Sequence, residues 1–165
     1  MKPLYLVAQS PLPLQGIADE QLSKRLVHAT QATASRSSFV IDAAINDLQT
    51  NLDKPKTDQW RDETMRLVNQ IREQSLDGVQ AQFLAQHITR EEQNEIADSI
   101  NKRGVDAKKA LYSSPSPLLG AYAFSEKAHA FIRLVEQEKE RMISFAQTPD
   151  LYKKHQPKSE VPQRS

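Results

Sequence analysis

The sequence predicts an all-α or mainly α protein of about five to seven helices, with an extended N-terminal arm and a disordered C-terminal tail. Only four of the 165 residues are glycine, and 26% are charged with both signs mixed, a composition that suits helices with large polar surfaces. Because hydrophobic residues make up 38% and aromatic residues only 6% of the chain, we expect a thin or elongated core.

The first residues predict an arm that lacks a helix. Residues 3–9, which include Tyr5 and Val7, favour one short strand, and Pro11 and Pro13 end any regular element beyond it. The apolar run here is shorter than that of most signal peptides, and no run in the chain approaches the roughly 20 residues that cross a bilayer. With no cysteine in the chain, we expect a cytoplasmic protein without a membrane span.

Two helices are predicted after the arm. Asp19 is expected to cap the first, which ends near Thr33, and a turn centred on Ala34 and Ser35 follows. The second helix carries the strongest amphipathic stripe in the chain, formed by Val40, Ile41, Ala44, Ile45 and Leu48.

A polar linker at residues 51–57 contains Pro55 and predicts a domain boundary. We therefore divide the chain into the arm and helical hairpin at residues 1–50, a helical domain at 58–146 and a tail at 147–165. Within the helical domain, one helix is expected at 58–74, followed by a turn at Asp77 and Gly78.

Three further sequence signals predict helix boundaries within this domain. Thr89 and Glu92 match a capping box, which predicts that a helix begins there. Gly104 is suited to the position after a helix end, and the Ser/Pro-rich residues 113–117 break the chain again.

The last predicted helix, from Ser125 to Ala146, has apolar residues near the a and d positions of a heptad repeat, with Glu138 in one d position. Two interpretations stay open for its stripe. The stripe either packs within its own domain or binds a partner through three candidate residues, Phe131, Val135 and Met142.

Residues 19–48 match a known spacing of apolar and small residues at Leu22, Leu26, Ala34, Ser38, Val40, Ile41, Ala44 and Ile45. In this the segment resembles the helical part of ribbon-helix-helix repressors, antitoxins and plasmid-mobilisation accessory proteins. The resemblance implies a dimer whose N-terminal arms pair into a ribbon that enters the major groove. It also implies that Ser37 and Ser38 bind phosphate at a helix N-terminus, that Arg36 adds charge and that Gln15 reads a base. An ordinary helix pair of a bundle has the same pattern.

The sequence offers no catalytic centre. The four histidines, at 28, 87, 129 and 155, are far apart, and no glycine-rich phosphate loop or nucleophile motif is present, so we expect no metal site, no cofactor and no enzyme. The favoured function is that of a non-enzymatic helical interaction module, an adaptor or accessory protein that binds a protein partner or itself. The alternative is a dimeric ribbon-helix-helix-like regulator or mobilisation accessory protein that binds duplex DNA.

Overall fold

Four helices make up the structure, a computed structural model that describes the backbone of residues 15–149 and the side chains of residues 20–149. They are α1 (Gln15–Asn51), α2 (Asp58–Leu84), α3 (Arg90–Leu111) and α4 (Pro117–Ala146). The all-α prediction is confirmed for these residues, with fewer and longer helices than expected. The predicted arm and strand at residues 1–14 and the tail beyond residue 149 lie outside the described residues.

Helix α1 is continuous, so the predicted turn at Ala34 and Ser35 is wrong, and Asp19 lies inside the helix rather than at its start. Two rows of buried residues, each with seven-residue spacing, run through the predicted turn. One row is Val27, Ala34, Ile41 and Leu48, and the other is Thr30, Ser37, Ala44 and Asn51. This is the spacing of a helix that packs along its whole buried length. Residues 27–51, over which the two rows extend, contain no glycine or proline that would interrupt the helix.

Two glycines that were predicted to mark a turn or a helix end lie inside helices instead. Helix α2 runs through the predicted turn at Gly78, and α3 runs through Gly104 instead of ending there. At Gly78 a β-carbon would collide with the side chain of Met142 from α4. Gly78 thus serves close packing between helices, which is a common reason for a glycine inside a helix.

The starts of α3 and α4 are set by local capping. The predicted capping box is confirmed, because Thr89 N donates to Glu92 Oε1 at 2.8 Å and Glu92 N donates to Thr89 Oγ1 at 3.1 Å. Ser116 caps α4, whose first residue is Pro117, so this helix begins before the predicted Ser125. Its predicted end at Ala146 is confirmed.

Successive helices run antiparallel. Asn51 Nδ2 donates to Thr64 Oγ1 where α1 is followed by α2, and Tyr112 Oη donates to Asp62 Oδ1 where α3 ends beside the start of α2. Gln31 Nε2 donates to the carbonyl of Phe145, which places the end of α4 beside α1. Helices α2 and α4 also contact each other across the diagonal, whereas α1 and α3 do not touch within residues 15–149. The arrangement is an up-down-up-down four-helix bundle.

One buried cluster contains apolar side chains from all four helices. The described parts of the two predicted domains share this cluster, and the linker at residues 51–57 is a connection closed by a hydrogen bond from Trp60 Nε1 to the carbonyl of Asn51. Among the described helices, none is both long enough and apolar enough to cross a membrane.

A candidate binding groove between two helices

The predicted partner-binding residues do not form a surface. Phe131, Val135 and Met142 are each 0% exposed, and they lie in the core cluster together with residues of the other helices. The stripe was correctly recognised as a packing seam, but the interpretation as a free partner surface is wrong. The three other helices of the same chain already cover it.

The predicted DNA contacts are not brought together. Ser37 is buried and Ser38 is nearly so, and both lie in the interior of α1, where backbone N–H groups bond within the helix instead of facing a phosphate. Arg36 is exposed. Gln15 is the first residue of α1, about 31 Å from Arg36 along the helix axis, and its side chain lies outside the described residues.

The surface between α3 and α4 contains a groove that sequence reasoning did not identify. Its upper part, near the end of α4, has a volume of about 340 Å³. The residues that line it are Glu92, Glu95, Ile96 and Ser99 from α3, and Leu134, Gln137, Glu138 and Arg141 from α4. Two smaller hollows continue it towards the start of α4, and they share Arg103 and Ala130 with each other. We call the whole feature the α3–α4 groove.

Glu138 is the least ordinary residue of this groove. The residue is only 2% exposed, and its Oε1 atom has no hydrogen-bond partner among the described residues. The guanidinium of Arg141 lies 3.7 Å from Oε2, which is an ion pair but longer than a hydrogen bond. Burial raises the pKa of the Glu138 carboxyl above its ordinary value, and the positive charge of Arg141 opposes that rise.

Two further carboxylates line the same upper part. The pKa of Glu92 is lowered, mainly because its carboxylate accepts the backbone N–H of Thr89, so Glu92 remains charged at neutral pH. Glu95 is exposed and has no ion-pair partner among the side chains that the structure describes. Three carboxyl groups and one guanidinium therefore face this part of the groove.

The lower part of the groove has a different character. Arg103 and Arg133 line it, with Leu134 and Gln137 shared between the lower and upper parts. The groove is thus acidic near the end of α4, apolar around Leu134 and basic at Arg103 and Arg133. Nearest the start of α4 its charges are mixed, with Asp106 and Glu126 beside Lys127. Such a difference in charge along the groove can orient a charged partner.

One sequence signal pointed to this site. Glu138 was recognised as a charged residue in an otherwise apolar heptad position, where it weakens the seam. Its consequence, a buried carboxyl facing α3, could be seen only once the two helices were placed side by side. No group of three or more His, Cys, Asp or Glu side chains within residues 20–149 is placed so that it could hold a metal ion.

Comparison with known protein families, with curated protein sequences and with solved structures yields no match to this chain.

Proposed function

We propose that the chain is a non-enzymatic helical adaptor that binds a basic segment of a partner protein in the upper part of the α3–α4 groove. The observation that carries this proposal is the buried Glu138 carboxyl, whose Oε1 atom lacks a partner and which lies beside Glu92 and Glu95. An unsatisfied buried acceptor destabilises a fold by about 1–3 kcal/mol. Because Oε1 is shielded from solvent, a ligand would have to displace the side chains that cover it before it could donate an N–H group and remove that penalty.

A guanidinium group fits the site best. Carboxylates bind arginine through two parallel hydrogen bonds, and the neighbouring carboxylates favour any cation. The apolar side chains of Ile96 and Leu134 provide contact for an aliphatic stem or an adjacent apolar residue. The expected ligand is thus an arginine-containing amphipathic segment. A cytoplasmic location is part of the same proposal, in keeping with a chain that has no cysteine.

The first prediction concerns peptide binding. A fluorescein-labelled amphipathic peptide of leucine, alanine and arginine should bind the full chain, whereas the same peptide with glutamate in place of arginine should not. Glu95→Arg should weaken binding of the arginine peptide about tenfold, because it places a cation where the ligand's cation binds. Fluorescence anisotropy measures both affinities.

Glu140→Arg is the matched control, since Glu140 is exposed on the same helix as Glu138 and does not line the groove. It changes the net charge by the same amount and should leave the affinity within about twofold, as expected for a distant, screened charge. Equal weakening by Glu95→Arg and Glu140→Arg would show that the peptide responds only to overall charge. That result would reject the groove as the binding site.

The alternative hypothesis, a dimer that binds duplex DNA, rests on the exposed position of Arg36. The resemblance of residues 19–48 supports it less, because the continuous α1 lacks the turn that separates the two helices of that module. Under it, a labelled duplex-DNA pool should bind in the same assay, more weakly as salt increases, and Arg36→Ala should weaken binding to all sequences alike. Light scattering on the same sample should then give the mass of a dimer. DNA binding that is unchanged by Arg36→Ala would remove that residue's predicted role.

A further inference from the structure

A basic segment that could occupy the acidic groove is present in the chain itself. Residues 150–165 contain four basic residues, Lys153, Lys154, Lys158 and Arg164, against two acidic ones, Asp150 and Glu160. The adjacent pair Lys153 and Lys154 concentrates two positive charges close to the end of α4. The upper part of the groove, with three carboxyl groups, lies near that same end.

We propose that Lys153 and Lys154 of the same chain occupy the upper part of the α3–α4 groove when no partner is bound, and so compete with the partner. The proposal rests on the proposed function, because it assigns a second occupant to the same site. Ammonium groups would sit near Glu95 and Glu138, where the partner's guanidinium is expected. Lysine binds carboxylates as a point charge without bidentate geometry, so a partner with arginine can displace it.

The chain length allows this contact. Glu138 lies eight residues before the end of α4, about 12 Å along the axis, and the segment must also cross the helix, whose diameter is about 10–12 Å. The five residues after Pro149, from Asp150 to Lys154, span at most about 17 Å when extended. Measured from Ala146, the combined displacement is about 16 Å, which is close to that length, and the lysine side chain adds to the reach. The more basic lower part of the groove is farther away.

The starting point of the segment is also fixed. Gln31 Nε2 of α1 donates to the carbonyls of Phe145 and Thr148, at 2.9 and 2.8 Å, and holds the chain against α1 just after α4 ends. A short connection from a fixed point gives the two lysines an effective concentration of about millimolar at the groove. Individually weak charge contacts are then sufficient for partial occupancy.

The absence of cysteine makes a direct test simple. In the full chain, Gln156→Cys carrying a nitroxide label places an unpaired electron two residues beyond Lys154. The amide NMR signals of Glu95 and Ser99 should lose at least half of their intensity, whereas that of Asn69, an exposed residue of α2, should not change. Adding Lys153→Glu and Lys154→Glu to the labelled chain should restore the signals, and the control pair Lys158→Glu and Arg164→Glu should not.

Signals of Glu95 and Ser99 that stay intact in the labelled chain would overturn the inference, as would equal effects of the two charge-reversal pairs. The arginine peptide separates this inference from the proposed function. If the tail pair competes, Lys153→Glu with Lys154→Glu should raise the peptide's affinity about threefold to tenfold. If the peptide binds in a Glu95-dependent way but the tail makes no contact with the groove, only the inference about Lys153 and Lys154 is rejected. Tail contact without peptide binding would reject the adaptor function and leave the contact established.

Discussion

Replacing Glu138 with leucine is expected to raise the free energy of unfolding by about 1–3 kcal/mol at pH 7. The carboxyl occupies a heptad position in the bundle, is almost fully buried and leaves Oε1 without a hydrogen bond. Its ion pair with Arg141 is long, so the attraction does not fully offset the loss of hydration. Leucine places an apolar side chain of similar size at that position, and urea unfolding followed by circular dichroism measures the gain.

The stabilisation by Glu138→Leu should shrink as the pH falls. Burial gives the Glu138 carboxyl a higher pKa in the folded chain than in the unfolded chain, despite the opposing charge of Arg141. The folded chain therefore binds this proton more tightly, and the penalty for the buried charge disappears as the pH drops through the raised pKa. Glu92 and Glu95, which face the same part of the groove from α3, add negative charge there. Unfolding curves at pH 7 and pH 5 should show the larger difference between wild type and variant at pH 7.

Glu136→Leu is the matched control for this prediction, because Glu136 is exposed on the same helix and the substitution is identical. Its effect should stay within about 0.5 kcal/mol, as for most surface changes. A loss of stability in Glu138→Leu comparable to that of a core cavity would mean that the carboxyl is satisfied in the fold. A stabilised variant that also fails to bind the arginine peptide would indicate that Glu138 serves binding at the expense of stability.

The helix boundaries set by local chemistry were predictable from the sequence. The capping box at Thr89 and Glu92 and the break in the Ser/Pro-rich residues 113–117 depend on neighbouring residues alone, and both were confirmed. The start of α4 was placed too late, at Ser125 instead of Pro117. The continuity of α1 was missed because five of the eight residues in its two buried rows are polar or small. Thr30 is buried with its hydroxyl donating to the carbonyls of Leu26 and Val27, so it fits a packing seam that a purely apolar pattern does not reveal.

The groove could not be predicted, because its two walls are distant in sequence. Glu95 and Glu138 become neighbours only when α3 and α4 pack together, and nothing in the spacing of either helix specifies that pairing. The packing seam of α4, in contrast, was predicted from the sequence, but what covers it was not. Its periodicity predicted Phe131 and Val135 as packing residues correctly, but periodicity alone does not say whether the cover comes from the same chain or from a partner.

Phe131→Ala should lower the free energy of unfolding by about 3–5 kcal/mol, because it leaves a cavity in a core that the other helices of the same chain close. Phe131 is 0% exposed, and its ring lies against Gly104 of α3. Urea unfolding measures the loss, with Tyr122→Ala as the control because Tyr122 is an aromatic residue of the same helix that is 73% exposed. Tyr122→Ala should change stability by about 0.5 kcal/mol or less. A Phe131→Ala chain as stable as wild type but unable to bind its partner would instead restore the stripe as a docking surface, which requires α4 to separate from the bundle.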